Sequence, residues 1–311
     1  MAEPAKGSAA VILNAGAGAG NPQEQASSIE SKLRERGLSA HAMVLNHGDD
    51  LQARVARAVG DGASMVIGGG GDGTLSTIAG QLAGTGVPLG VLPLGTLNHF
   101  AKDLGIPLEL DPALDVIAQG HSVEVDVGEV NGRVFINNSS LGLYPEVVRD
   151  RELQQHRLGR GKWAALLAAS VHACRRYPVL SVQMEVDGKS YQRRSPFVFV
   201  GNNEYQMEGF GIGERSRLSD GKLSLYVTQR TGRFGLLRLA LRALVGRLRQ
   251  ARDFDVLTAR ELVVHTRHRR MRVATDGEVS WLETPLHYSV RPRALRVLVP
   301  AAALKTEEKA S

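Results

Sequence analysis

The stretch MVIGGGGDGTLST, residues 65–77, constrains this chain more than any other: an apolar run ends in four consecutive glycines, followed by Asp72, Gly73 and Thr74 at the start of a helical pattern. A buried strand that stops in glycines and feeds a helix presents backbone N–H groups at its carboxyl end, as open α/β sheets do where they bind anions. Glycines there are free to take positive φ and to let a phosphate approach the backbone, and Thr74 is placed to cap the helix. Asp72 adds a requirement of its own. A carboxylate beside phosphates repels them unless a divalent cation intervenes or a proton must be collected, so the loop points to phosphoryl transfer. The alternative is a glycine-rich turn in which Asp72 serves only as a helix cap.

The flanking pattern supports a layered fold. Apolar runs at 9–16, 38–45, 63–69 and 87–94 alternate with helical patterns at 24–36, 49–59 and 74–83, the signature of βαβ units on a buried parallel sheet. We expect an α/β architecture: an N-terminal open parallel-sheet nucleotide-binding domain over 8–125, which the apolar run at 294–305 can complete. Beyond Asp126 the texture changes to short β-branched runs divided by Asn131-Gly132, Asp187-Gly188, Asp220-Gly221 and Asp276-Gly277, which reads as hairpins. The expectation for 126–293 is a C-terminal, mostly antiparallel β-sandwich-like domain for substrate or lipid, interrupted by helices at 160–175 and 234–250. At 311 residues the chain has room for two such domains. It contains neither a G-x-x-x-x-G-K-[ST] loop nor a correctly spaced G-x-G-x-x-G.

The single cysteine, Cys174, has no disulfide partner, the first nine residues lack an apolar core of signal-peptide length, and no stretch approaches ~20 apolar residues without charge. A cytoplasmic setting is the expectation. The charge of +6 is uneven: from Arg230 to Arg272 twelve arginines face three acids. Within this segment the pattern at 233–250 sets Phe234, Leu237, Leu241, Leu244 and Leu248 on one helical face, with Arg238, Arg242 and Arg249 away from it. Such a helix either packs its leucines on the β domain or lies at an anionic membrane surface, giving a peripheral location at the inner membrane face. Nucleic acid is disfavoured, because the segment lacks interleaved aromatics and the helix-turn-helix or zinc-finger spacings. A second basic-ended helix, 156–178, carries Trp163, His172 and Cys174, the last two too close in sequence to share a face.

Three further stretches accompany the glycine run: LNAGAGAG at 13–20, LPLGTLNHFAKDLGIP at 92–107 and ATDGEVS at 274–280. With GGDGT at Gly70–Thr74, PLGT.N.FA at Pro93–Ala101 and DGE at Asp276–Glu278 in this order, the chain resembles the diacylglycerol kinase catalytic family, in particular its soluble bacterial lipid kinases. The resemblance implies ATP between the domains, its phosphates over Gly70, Gly71, Asp72, Gly73, Thr74, Leu75 and Ser76, assisted by Asn14, Thr96 and Asn98. It implies Glu278 as general base toward a lipid hydroxyl, with Asp72, Asp126 and Asp276 organising Mg²⁺ through water. It implies a second, structural Mg²⁺ at Asp220 with the carbonyls of Arg217 and Lys222. The bland reading of that loop is an ordinary hairpin turn. Family members are often dimers, and a homodimer is one expectation here.

The chain departs from the family pattern twice. His99 stands where the family has aspartate after the asparagine of its second motif, and the first loop is glycine and alanine without the usual proline, serine or lysine. Two rival readings follow: an NAD kinase, which shares the glycine–aspartate loop and to which GNNEYQ at 201–206 bears a faint likeness, and a non-catalytic nucleotide- or lipid-binding protein derived from such a kinase.

Overall fold

The structure is a computed structural model and describes residues 8–16, 21–45, 50–142, 180–206, 214–215, 217–228 and 254–308. The helices expected at 160–175 and 234–250, and with them the arginine face, Trp163, His172 and Cys174, lie outside these residues. The chain divides into two compact units, Met1–Val127 with Pro292–Ser311, and Gly128–Arg291.

In the first unit, strands β1 (Ala9–Asn14), β2 (Ala40–Leu45), β3 (Met65–Gly70) and β4 (Leu89–Pro93) form a parallel sheet in the order β2-β1-β3-β4. The far end of β18 (Leu286–Leu298) joins it, Val297 pairing in parallel with Leu89, so the last apolar run completes this unit. Near-continuous apolar strands require cover on both faces. Helix α1 (Pro22–Glu35) packs with α5 (Leu110–Gln119), and α2 (Leu51–Gly60) with α3 (Asp72–Leu82). Ile29 and Leu33 of α1, Ile78 and Leu82 of α3, and Leu114 and Ile117 of α5 are buried with Val11, Ile67 and Val91 of the sheet. Each such side chain contributes roughly 1.5–3 kcal/mol relative to exposure. Neither α5 nor the five-residue α4 (His99–Asp103) was among the helices expected from the sequence.

The glycine run has a different cause from the one expected. None of Gly68–Gly71 takes positive φ. A Cβ at Gly68 would lie 2.7 Å from Ile78 Cδ1, and one at Gly70 2.7 Å from Thr74 Cβ; at Gly69 it would overlap the Leu13 side chain. Three of the four glycines therefore admit neighbouring side chains, and two of them, Gly68 and Gly70, seat α3 hard against β3. Thr74 is not the cap either: α3 begins at Asp72 behind the N-cap Gly71, which offers no side-chain bond.

The second unit is antiparallel. One sheet has the order β14-β13-β10-β7-β16-β17, from β7 (Asn138–Gly142), β10 (Phe197–Asn202), β13 (Leu223–Thr228), β14 (Phe254–Ala259), β16 (Arg270–Thr275) and β17 (Glu278–Glu283). Facing it are β8 (Leu180–Val186), β9 (Lys189–Ser195), β15 (Glu261–His265), the first residues of β18, and β6 (Arg133–Phe135) paired with the end of β5 (Ser122–Val130). Leu141, Val198, Val200, Leu225 and Val273 from the first layer interlock with Phe135, Val182, Met184, Val264 and Tyr288 from the second in one buried cluster, a β-sandwich core. Burial pushes the Tyr288 hydroxyl far above its ordinary pKa, leaving it a neutral partner of Ser139 Oγ at 3.2 Å.

Three of the four expected turn dipeptides make tight hairpins with positive φ at both residues: Asn131-Gly132, Asp187-Gly188 and Asp276-Gly277, as a two-residue turn matched to strand twist demands. Asp220-Gly221 differs, with positive φ at Gly221 alone.

Candidate functional site

The strand order β2-β1-β3-β4 reverses direction between β1 and β3, and in an open α/β sheet ligands bind beyond the carboxyl ends of the strands at that switch. The loops meeting there in the first unit are those singled out by sequence. Asn14 ends β1; its Nδ2 donates to Thr74 Oγ1 at 3.1 Å, and its Oδ1 accepts from Gly16 N–H at 3.0 Å. A Cβ on Gly95 would stand only 2.7 Å from Asn98 Oδ1 and would run into Gly71 Cα, so the loops after β3 and β4 touch backbone to backbone at Gly71 and Gly95.

Asp72 locks the two loops together. Its Oδ2 accepts from His99 N–H at 3.2 Å and its Oδ1 from Phe100 N–H at 3.1 Å, capping α4 from another element. Asn98 sits in the left-handed region at φ 51, is buried, and donates through Nδ2 to Pro93 O at 3.0 Å and Gly95 O at 2.9 Å, while Oδ1 has no hydrogen-bond partner among the described residues. Its amide therefore shapes the second loop. Gly71, Asp72, Gly73, Gly95 and Thr96 reach the surface, whereas Leu75 and Ser76 are buried beneath them. The first turn of α3 brings N–H groups that lack intrahelical acceptors, together with the positive end of the helix dipole. These exposed backbone groups make a surface whose dipoles favour an anion.

Asp126, on β5, is 1% exposed and accepts Arg293 N–H at 2.8 Å, where Arg293 holds φ 49. In the second unit Asp276 opens the β16–β17 turn, and its carboxylate accepts three backbone N–H groups: Ile136 at 2.7 Å, Asn137 at 2.9 Å and Asn138 at 2.9 Å. Glu278 follows the turn, exposed, with Oε2 3.7 Å from Arg133 Nη2. Arg215, which no sequence pattern indicated, lies buried beside this segment: Nη1 donates to Ile136 O at 2.7 Å and Nη2 to Asn137 Oδ1 at 2.7 Å.

The third group is the loop at 217–222. Asp220 Oδ1 lies 3.7 Å from Arg217 Nη1, its N–H donates to Asn203 Oδ1 at 3.1 Å, and Lys222 O accepts Asn203 N–H at 2.9 Å. A cation at this loop competes with Arg217 for the carboxylate and with Asn203 N–H for the Lys222 carbonyl.

No cluster of three or more His, Cys, Asp or Glu side chains is placed to cage a metal among the described residues. Phosphoryl-transfer sites hold Mg²⁺ by one or two carboxylates, water and the substrate's own phosphates. Asp72 supplies a carboxylate at the junction of the two loops.

The comparisons with known proteins agree with this layout. Residues 8–130 match the diacylglycerol kinase catalytic domain, and 146–299 the YegS C-terminal NAD kinase beta sandwich-like domain. A diacylglycerol kinase of Staphylococcus carnosus is 29% identical over 205 residues, covering 64% of this chain and 65% of that protein. One from Staphylococcus aureus is 28% identical, covering 64% of each. The chain thus spans just under two thirds of the length of these relatives. A crystal structure from Bacillus anthracis str. Sterne superposes with a TM-score of 0.76 at 25% identity over 96% of this chain and 100% of its own. Both halves of the sequence and the fold that they build therefore say the same thing: residues 8–130 are a diacylglycerol kinase catalytic domain, the domain of phosphotransferases with an alcohol group as acceptor, and 146–299 resemble the C-terminal domain of YegS.

Proposed function

We propose that the protein is an ATP- and Mg²⁺-dependent lipid kinase that transfers the γ-phosphoryl group of ATP to a hydroxyl of a membrane lipid such as diacylglycerol. The observation that carries this reading is the Gly71–Gly95 contact with Asp72 bridging it: two family motifs form one anion platform at the switch point of a parallel sheet. Phosphoryl transfer asks for positioning and charge stabilisation more than for covalent chemistry. Gly71, Gly73 and the first turn of α3 hold the phosphates with backbone dipoles, and Asn14 fixes Thr74 beneath them.

Glu278 acts as general base. It takes the proton from the lipid hydroxyl as that oxygen bonds to the γ-phosphorus, while the bond to the β,γ-bridging oxygen breaks and ADP leaves. The turn held by Asp276 fixes the strand that carries it, and Arg133 lies beside it. The residues that would hold Mg²⁺ are Asp72 and, through water as the family resemblance implies, Asp126 and Asp276; the cation would neutralise charge on the phosphates. The lipid is reached at an anionic surface, as a peripheral protein; among the described residues no helix is long and apolar enough to cross a membrane.

A second reading, NAD kinase, is favoured by the description of the C-terminal match. One experiment separates the two. The purified chain is incubated with γ-labelled ATP, MgCl₂ and a total lipid extract, with NAD in a parallel reaction, and the products are resolved. Label in a phospholipid supports the lipid kinase, and label in NADP supports the rival. Label in neither points to a non-catalytic binding protein.

A further inference from the structure

A charged side chain withdrawn from water needs strong compensation, and Arg215 is 6% exposed on the two-residue strand β12 (Glu214–Arg215), paired with β11 (Tyr205–Gln206). Its guanidinium gathers one short segment. Nη1 donates to Ile136 O at 2.7 Å and to Asn202 O at 3.1 Å, Nη2 donates to Asn137 Oδ1 at 2.7 Å, and the group stands 5.3 Å over the Tyr205 ring. Asn202 doubles the hold, its Nδ2 donating to Ile136 O at 3.0 Å and its N–H to Asn137 O at 2.9 Å.

The other side of the same segment faces Asp276. The peptide whose carbonyl oxygen is Ile136 O has Asn137 N–H as its other pole, and that N–H donates to Asp276 Oδ1 at 2.9 Å. One peptide group thus runs from the Arg215 cation to the Asp276 anion with its dipole aligned between them, and charge-assisted bonds at both poles reinforce each other. Ile136 N–H and Asn138 N–H add two further donors to the carboxylate, and Asp276 N–H returns a bond to Asn138 O at 2.9 Å. Asp276 holds φ 48, a conformation that costs an ordinary residue free energy and persists only where its surroundings fix it. Two residues later the chain presents Glu278.

We propose that Arg215 is a positioning residue for Glu278: through the Ile136–Asn138 segment it fixes Asp276 and so the turn from which the carboxylate projects. The proposal rests on the assignment of Glu278 as base made above, and names the residue that sets its geometry. Arg215 touches no reacting atom in this account. Methionine in its place removes one of the two donors to Ile136 O, leaving Asn202 Nδ2, removes the guanidinium bond to Asn137 Oδ1, and so loosens the segment that holds Asp276.

The test is a double-mutant cycle in the full chain: wild type, Arg215→Met, Glu278→Gln and the double variant, with Arg215→Lys as a gentler change. Each is assayed for transfer from ATP to diacylglycerol in mixed micelles, alongside its thermal midpoint. Arg215→Met is expected to lower kcat roughly ten- to hundredfold, the scale of an ångström of misplacement at the reacting group, with KM for ATP within about twofold. In the Glu278→Gln background the same change is expected to cost less than about threefold, because a residue that acts through the base has little left to act on. Arg215→Lys, which keeps the charge but cannot reach all three oxygens at once, falls between. Equal kcat losses in both backgrounds, or wild-type kcat in Arg215→Met and Arg215→Lys, overturn the proposal. If Glu278→Gln is as fast as wild type, or the wild type transfers no label, the base assignment falls and this inference with it. A slow Glu278→Gln beside a normal Arg215→Met refutes the inference alone.

Discussion

Substitution of Gly95 by alanine is the sharpest test of the anion platform, because the structure fixes what the added methyl meets. Its Cβ would overlap Gly71 Cα and come within 3.1 Å of Gly71 N and 2.7 Å of Asn98 Oδ1, where carbon atoms prefer about 3.5–4.0 Å. All three neighbours are held: Gly71 is the N-cap of α3, and Asn98 is buried and bonded back to its own loop. Relief therefore moves the two loops apart by about an ångström. Overpacking of this kind costs about 1–3 kcal/mol, which for a unit of this size lowers the melting temperature by roughly 3–10 °C. The same displacement costs on the order of 10²-fold in transfer rate. Gly71→Ala provides the matched control. That Cβ meets only Gly95 Cα, at 3.7 Å, and the backbone at φ −88, ψ −179 suits alanine, so the cost is that of alanine at an N-cap, no more than about 1 kcal/mol. Circular dichroism melts of both variants and initial rates decide the matter. A Gly95→Ala protein that melts and turns over like wild type refutes the claim that the two loops are one surface.

Three other outcomes follow from the geometry. Asp111 bonds Lys32 Nζ at 2.8 Å, and this contact, with Arg36 behind it, holds its pKa below the ordinary 3.8. A folded pKa below the unfolded one gives stability that is present above pH 4 and lost as pH falls through the folded value. Asp111→Asn should therefore melt slightly below wild type at pH 7, and the gap should narrow as pH falls below 4; a gap that does not depend on pH contradicts the pairing. Asp72→Asn replaces a charged acceptor of two N–H groups and should cost about 1–2 kcal/mol in a chemical denaturation curve, with an unchanged midpoint counting against Asp72 as the tie between loops. If the 217–222 loop takes Mg²⁺, the melting temperature of wild type should rise with MgCl₂ and that of Asp220→Ala should not; equal rises in both remove the cation from that loop.

Much of the fold was legible because its strands are short, apolar and bounded by glycine or turn residues. The four parallel strands and the helices between them follow the alternation of periods, and the hairpins at Asn131, Asp187 and Asp276 follow from dipeptides that tolerate positive φ. The glycine run was legible as a site but not as a mechanism of packing, since its partners Leu13, Ile78 and Thr74 come together only through the sheet. Helix α4 escaped because it is five residues long and takes its cap from Asp72, 27 positions earlier. Arg215 left no pattern at all: its acceptors are two backbone carbonyls and an amide, those at 136 and 137 nearly eighty residues away. The roles of Asp126, Asp276 and Glu278 came from family resemblance, and the structure adds the bonds that hold each in place.

The most direct measurement of the central claim is the initial rate of phosphate transfer from γ-labelled ATP to diacylglycerol in anionic vesicles, compared between wild type and Glu278→Gln at equal bound ATP. A general base contributes about 10²- to 10⁴-fold, so the account predicts labelled phosphatidate from wild type and a loss of that size in the variant, with its fold and ATP affinity retained. Equal rates in the two proteins, or no labelled lipid from either, would contradict it.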